Sequence, residues 1–103
     1  MRGLLIWAQS ACRSQMALYR ELGRAFGVPV VVAVWYYKVD PREIDNRDAV
    51  GFCEHEFSDM EIVPVGENRQ RGLALLDAHP DWHHLFCNYQ GSENFRQLQL
   101  EAA

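Results

Sequence analysis

The sequence predicts an α/β fold, a three-layer sandwich in which helices cover both faces of a four-stranded parallel sheet. Two observations predict it. Short apolar runs alternate with segments of helical periodicity along the 103 residues. The longest run, VPVVVAVWYY at residues 28–37, is apolar throughout, which is typical of a parallel strand covered on both faces.

The opening segment, MRGLLIWAQSAC, has some features of a secretory leader. Its apolar run covers residues 4–8, however, and a signal peptide needs roughly 7–15 apolar residues. The run is also far shorter than the ~20 residues that span a bilayer. Residues 4–7 are therefore predicted to form the first strand, buried in the sheet.

The first helix is predicted over residues 12–26. Apolar residues recur there every three or four positions and form one stripe: Met16, Tyr19, Leu22 and Phe26. Gly27 follows the stripe as a natural C-terminal cap. Gly23, inside the helix, is expected to permit close packing on the sheet.

The remaining elements follow from similar signals. Pro64 cannot donate a hydrogen bond to a neighbouring strand, so its strand is expected at a sheet edge. A Rossmann-like strand order, 3-2-1-4, satisfies this requirement and keeps the longest apolar strand inside. The predicted elements are a short helix at 41–47 with Asp40 as N-cap, a strand at 60–65, a helix at 68–78, a strand at 82–88 and a helix from 94 onward.

Two polar loops are predicted to lie where the strand order reverses, between the first and fourth strands. Ligands of open parallel sheets bind beyond the carboxyl ends of the strands at this point. Both loops lead into helix N-termini, whose N–H groups favour anions and sugar oxygens. The alternative is that these residues are ordinary caps and turns. The candidate binding residues are Gln9, Ser10, Arg13, Ser14, Asn88, Tyr89, Gln90 and Ser92.

The composition of the chain argues against several classes of function. The chain carries a net charge of −4 and a single lysine, Lys38, which argues against binding to nucleic acid or to an anionic membrane surface. Its three cysteines form an odd set, which is typical of reduced thiols in the cytoplasm. No transmembrane segment is predicted.

The sequence lacks the motifs of several common binding and catalytic sites. The first loop has no GxGxxG, so standard NAD or FAD binding is not expected. The first and third strands do not end in the aspartates of a receiver domain. CEHE at 53–56 and HHLFC at 83–87 contain potential metal ligands, but neither has the spacing of a zinc site. Adjacent His83 and His84 are expected on opposite faces of the sheet, one buried and one against a covering helix.

The stretches LLIWAQSACRSQMALYRELGRAFGVPVVVAVW and HHLFCNYQGSENFRQL resemble the N-terminal half of bacterial GT-B glycosyltransferases of the group 1, retaining type. The resemblance implies a Rossmann-like acceptor-side domain of an enzyme that moves a sugar from a nucleotide-sugar donor to a glycan or lipid-linked acceptor. It implies no metal or other cofactor, and a location in the cytoplasm or at the inner membrane.

The same resemblance implies a second half that binds the donor, and this sequence contains nothing that matches it. The chain is therefore expected to be a fragment that is inactive alone, with no catalytic residue of its own. The resemblance also implies that Tyr89 stacks on a sugar ring and that Arg13 meets a phosphate or sugar oxygen.

A stand-alone Rossmann-like module for interaction or small-molecule binding remains the alternative. An incomplete sheet exposes apolar surface and favours self-association into a homodimer. The aromatic run WYY at residues 35–37 suits such a surface, although strand packing explains it equally simply.

Overall fold

The computed structural model describes residues 2–10, 13–36, 57–66 and 68–102 of the chain. The short helix predicted at 41–47 lies outside these ranges. The elements in chain order are β1 (Leu4–Ser10), α1 (Arg13–Phe26), β2 (Val30–Tyr36), β3 (Glu61–Pro64), α2 (Arg69–Ala78), β4 (His83–Phe86) and α3 (Tyr89–Ala102).

The four strands form one parallel sheet in the order β3-β2-β1-β4, which confirms the predicted Rossmann-like order. Pro64 lies on the edge strand β3, as expected from its missing N–H. β1 is internal, and its Leu5 pairs with Val31 on one side and with His84 on the other. The carboxyl ends of β1 and β4 are therefore neighbours.

Successive residues of each strand point to opposite faces of the sheet, and the apolar residues of each face form a separate hydrophobic core. On the first face, Ile6 and Val32 pack with Met16 and Tyr19 of α1. The second face packs against both remaining helices, through apolar residues of the sheet and of α2 and α3: Leu5, Trp7, Val31, Ala33, Val65, Leu75 and Leu98. Helices thus cover both faces, and the predicted three-layer sandwich is confirmed.

The end of α1 confirms the roles expected of its two glycines. Gly27 has a φ of 64°. Its N–H donates to the Arg24 carbonyl over 3.2 Å, and the Val28 N–H donates to the Gly23 carbonyl over 3.0 Å, which together form a Schellman motif. A Cβ on Gly23 would lie 2.5 Å from Cγ2 of Val30, so the helix approaches β2 too closely for a side chain.

All four strands have bounds that differ from those predicted. β2 begins at Val30 rather than at residue 28, because the Val28 N–H is bonded to α1 instead of to the sheet. β1 runs on to Ser10, which pairs with Tyr36 of β2 despite its polar character. β3 and β4 are each shorter than expected, with four residues.

The start of α3 was also predicted wrongly. The helix begins at Tyr89, so the segment expected to be a loop up to residue 94 is its first turn. Gly91 and Ser92 suggest a turn, but Gly91 is required for packing: a Cβ there would lie 2.6 Å from the Trp7 carbonyl oxygen. The expected apolar contacts of Phe95 and Leu98 with the sheet are confirmed.

The C-terminal half of α3 packs on the N-terminal half of α2. A Cβ on Gly72 would lie 2.8 Å from Cδ1 of Leu98, so the two helices approach closely. Arg69, the first residue of α2, forms an ion pair with Glu101 near the end of α3. The Arg69 guanidinium also lies 5.5 Å from the ring centre of Trp35 in β2, a ring that is half-buried in the second core.

Candidate functional site

The two chain segments predicted to converge do meet at the carboxyl ends of β1 and β4. β4 pairs with β1 only as far as Trp7 and Phe86, and both chains continue past this point. The side-chain amide of Asn88 then donates from Nδ2 to Oε1 of Gln9 over 3.4 Å. We call the surface formed by Gln9, Asn88 and the start of α1 the β1/β4 edge.

Two helices begin at the β1/β4 edge, and neither carries an acidic residue in its first turn. The partial positive charge of each helix N-terminus is therefore not neutralised by a carboxylate of its own first turn. An anion or an electron-rich oxygen placed at this edge is favoured over a cation.

Asn88 is the N-terminal cap of α3. Its Oδ1 accepts from the Gly91 N–H over 2.9 Å, and its carbonyl accepts from the Ser92 N–H over 3.3 Å. The first bond satisfies one of the N–H groups that have no partner within the helix, and the second is the first regular backbone bond of α3. The N-terminus of α3 therefore has less room for an anion than was expected, while the second N–H of the Asn88 side chain has no partner among the described residues.

The other candidate residues take different positions. Arg13 and Ser14 are the first two residues of α1 and are exposed, and Ser10 ends β1. The Ser92 hydroxyl donates to the Tyr89 carbonyl over 2.7 Å, a local side-chain-to-backbone bond within the first turns of α3.

Tyr89 and Gln90 do not share the contact between Gln9 and Asn88. They line a shallow groove of about 430 Å³ along the outer surface of α3. Tyr89 is 77% exposed there. The Gln90 side chain donates from Nε2 to Oδ1 of Asn94 over 3.0 Å, which holds it against the helix.

Asn94 is a buried polar residue of α3 that the sequence pattern does not single out. It is only 5% exposed, and its Nδ2 has no hydrogen-bond partner within the described part of the chain. The sequence pattern predicts that the last helix begins at this residue. The contact with Gln90, one turn earlier, could have been found only by starting the helix at the correct residue.

The two adjacent histidines of β4 differ in their surroundings. His84 faces α3, as expected for one of the pair, with its ring centre 4.7 Å from that of Phe95. The expectation that the other is buried was wrong, since both residues are exposed. Partial loss of water around the His84 ring lowers the pKa of that residue, and the electrostatic effect of neighbouring His83 lowers it further.

Within the described ranges, no three histidine, cysteine or acidic side chains are grouped so that they could hold a metal ion. The CEHE segment at 53–56 lies outside those ranges. The helices that the structure describes are all too short or too polar to cross a bilayer.

The fold and the edge together define a Rossmann-like α/β domain with a polar surface at the point where the strand order reverses. In comparisons with known proteins, the chain matches no family model, no curated protein and no solved structure.

Proposed function

We propose that the chain is the acceptor-side domain of a GT-B glycosyltransferase and that its β1/β4 edge contacts a sugar. In such an enzyme a sugar passes from a nucleotide diphosphate donor to an acceptor hydroxyl, and the donor is held by a second domain. The sequence resemblance described above supports this proposal, as does the strand order, since open parallel sheets commonly bind ligands where the order reverses beside β1.

The observation that carries the proposal is the contact between the Gln9 and Asn88 side chains. An amide has two donor hydrogens and an acceptor oxygen, so paired amides can match the mixed donors and acceptors of sugar hydroxyls. Gln9 Nε2 and the second N–H of Asn88 have no protein partner among the described residues. Gln9 lies on β1 and Asn88 caps α3 two residues after β4, so neither residue is on a long loop.

Arg13 adds a cation at the same edge, on the first turn of α1. A guanidinium suits a phosphate or a sugar oxygen, because its donors are planar and can bind in pairs. The proposal gives this domain a binding role and assigns it no catalytic residue. Tyr89 is assigned to the outer surface of α3, which is considered in the next subsection.

The test is a protein-observed NMR titration with UDP-glucose, GDP-mannose, maltose and lactose as separate probes. We expect backbone amide shifts concentrated at Gln9, Arg13 and Asn88. Gln9→Met should weaken the response, because it keeps the length of the side chain and removes its hydrogen-bonding groups. Asn88→Asp should also weaken it, since it keeps the Oδ1 cap of α3 but loses the amide donors.

Gln70→Ala is the matched control, because it removes an exposed amide beside Arg69, which contacts the end of α3 opposite to Asn88. The control should bind as the unsubstituted protein does. Saturable shifts elsewhere on the domain, unaffected by Gln9→Met and Asn88→Asp, would contradict the assignment of the edge. No shift with any of the four probes in a folded sample would contradict sugar binding by this domain.

A further inference from the structure

Two large apolar side chains of α3 are exposed, on the side of the helix opposite its buried face. Leu98 is fully buried, whereas Tyr89 and Leu100 are 77% and 68% exposed. With about 100° of rotation per residue, Tyr89 and Leu100 lie within about 20° of each other around the helix axis, and opposite Leu98. They are about 16 Å apart along the axis, at a rise of about 1.5 Å per residue.

An acidic and a basic side chain lie between these two apolar residues. Glu93 and Arg96 fall within the same arc of the helix, and their charged groups are 3.9 Å apart. Both are accessible, with side chains 37% and 70% exposed. We call Tyr89, Glu93, Arg96 and Leu100 the outer stripe of α3.

The outer stripe is symmetric about its own centre. The midpoint of Tyr89 and Leu100 falls between residues 94 and 95, and so does the midpoint of Glu93 and Arg96. A two-fold axis at this point would lay two α3 helices antiparallel. Tyr89 would then face Leu100 of the second copy, and Glu93 would face Arg96 of the second copy. Such self-complementarity is what a two-fold interface requires.

We propose that the outer stripe is a docking surface for a second copy of this chain, which forms an antiparallel pair of α3 helices. A parallel pair would place Glu93 against Glu93 and Arg96 against Arg96, so the charges favour the antiparallel arrangement. One helix pair buries less area than a permanent dimer does, and the dimer is therefore weak and reversible. Gln9 and Asn88 are not part of the stripe, so this dimer is independent of the proposed sugar-binding role.

The test uses two charge-reversal variants, Arg96→Glu and Glu93→Arg, studied by sedimentation equilibrium. Each variant alone places like charges opposite each other twice in the dimer. We expect each substitution to weaken dimerisation about tenfold or more, from two lost ion pairs and two new repulsions. When the two variants are mixed in equal amounts, every acidic side chain again faces a basic one. We expect the mixture to form a mixed dimer close to the strength of the original.

Recovery in the mixture separates the docking role from a purely structural one. Glu93 and Arg96 also interact within a single helix, but mixing two proteins cannot restore a contact inside one of them. A mixture that remains as monomeric as its two components would overturn the proposal. So would an unsubstituted protein that stays monomeric at several hundred micromolar.

Leu100→Asp tests the apolar ends of the stripe. It should abolish dimerisation while leaving the far-ultraviolet circular dichroism unchanged, because Leu100 is exposed and makes no core contact. Leu18→Asp is the control: Leu18 is 57% exposed, on α1, on the other face of the sheet. A dimer that survives Leu100→Asp but is lost with Leu18→Asp would locate the interface on α1 and refute the assignment to α3.

Discussion

The indole N–H of Trp7 donates to Nδ1 of His84 over 3.0 Å, joining β1 to β4 through their side chains. Trp7 is only 2% exposed. Phe95 of α3 packs on both rings, with centre-to-centre distances of 5.1 Å to Trp7 and 4.7 Å to His84. Since Nδ1 accepts this hydrogen bond, His84 must be neutral and carry its proton on Nε2.

Replacement of His84 by leucine should destabilise the protein. The buried indole N–H would lose its acceptor, which costs about 1–3 kcal/mol. Asparagine at the same position retains an oxygen near the place of Nδ1, so His84→Asn should cost less than His84→Leu. Urea denaturation at pH 7.5 measures both free energies of unfolding. Equal losses for the two variants would show that the hydrogen bond contributes little.

The stability of the protein should fall as the pH decreases through 6.5. Partial loss of water around the ring, on the side that packs against Trp7 and Phe95, and then His83, hold the pKa of His84 below its ordinary value of 6.5 in the folded state. Between these two pKa values the unfolded chain binds more protons than the folded one, so protonation favours unfolding. The contribution is fully present above pH 6.5 and is lost as the pH falls towards the lowered pKa.

The comparison between the native protein and His84→Asn isolates this effect. Asparagine does not titrate, so the difference in free energy of unfolding between the two proteins should change between pH 7.5 and pH 5. At the lower pH the native protein should lose stability relative to His84→Asn. A difference that stays constant over this range would contradict the assigned role of His84.

Asn88 should contribute to the stability of the protein, separately from its proposed role in binding. Its Oδ1 caps α3 through the Gly91 N–H. Asn88→Ala should therefore lower the free energy of unfolding by about 1 kcal/mol. Asn88→Asp keeps the cap and adds a negative charge at a helix N-terminus, so its stability should equal or exceed that of the native protein. Thermal denaturation followed by circular dichroism distinguishes the two results, and equal melting temperatures would argue against capping.

The two glycines at the end of α1 should respond to alanine for different reasons. Alanine in a helix is normally favoured over glycine by about 1 kcal/mol. At Gly23, however, the added methyl group would lie 2.5 Å from Cγ2 of Val30, so Gly23→Ala should destabilise the protein by about 1–3 kcal/mol. At Gly27 a Cβ meets no atom within 4 Å, and the cost of about 1 kcal/mol comes from the positive φ alone.

A double-mutant cycle separates these causes. Val30→Ala removes the atom that Gly23→Ala would strike, so the double variant should lose less stability than the sum of the two single losses. Val30→Ala and Gly27→Ala should simply add, because nothing near Gly27 is relieved. Strict additivity in both cycles would show that the close approach of α1 to β2 is not the cause.

The architecture could be predicted because its signals are short-range and redundant. The continuous apolar run gives a strand covered on both faces, and Pro64 places another strand at an edge. The apolar stripe and Gly27 locate α1 almost to the residue. These patterns follow from the regular repeat of side-chain directions along a helix or a strand, and that repeat can be recognised in the sequence itself.

The element ends at the candidate site could not be predicted in the same way. Gly91 and Ser92 normally favour a turn, yet the close approach to the Trp7 carbonyl requires a glycine inside the helix. The contact between Gln9 and Asn88 joins positions 79 residues apart, and the sheet order alone predicted that their segments meet. The side-chain atoms that come into contact are determined by tertiary packing, which no local sequence pattern reveals.

The pairing of the first strand with the last has a consequence for biosynthesis. Trp7 leaves the ribosome 77 residues before His84, so β1 must wait for most of the chain before its second neighbour exists. Contacts of such high sequence separation slow folding, and an unpaired inner strand is prone to aggregate while it waits. The nascent chain should therefore be most prone to aggregation between the synthesis of β1 and that of β4.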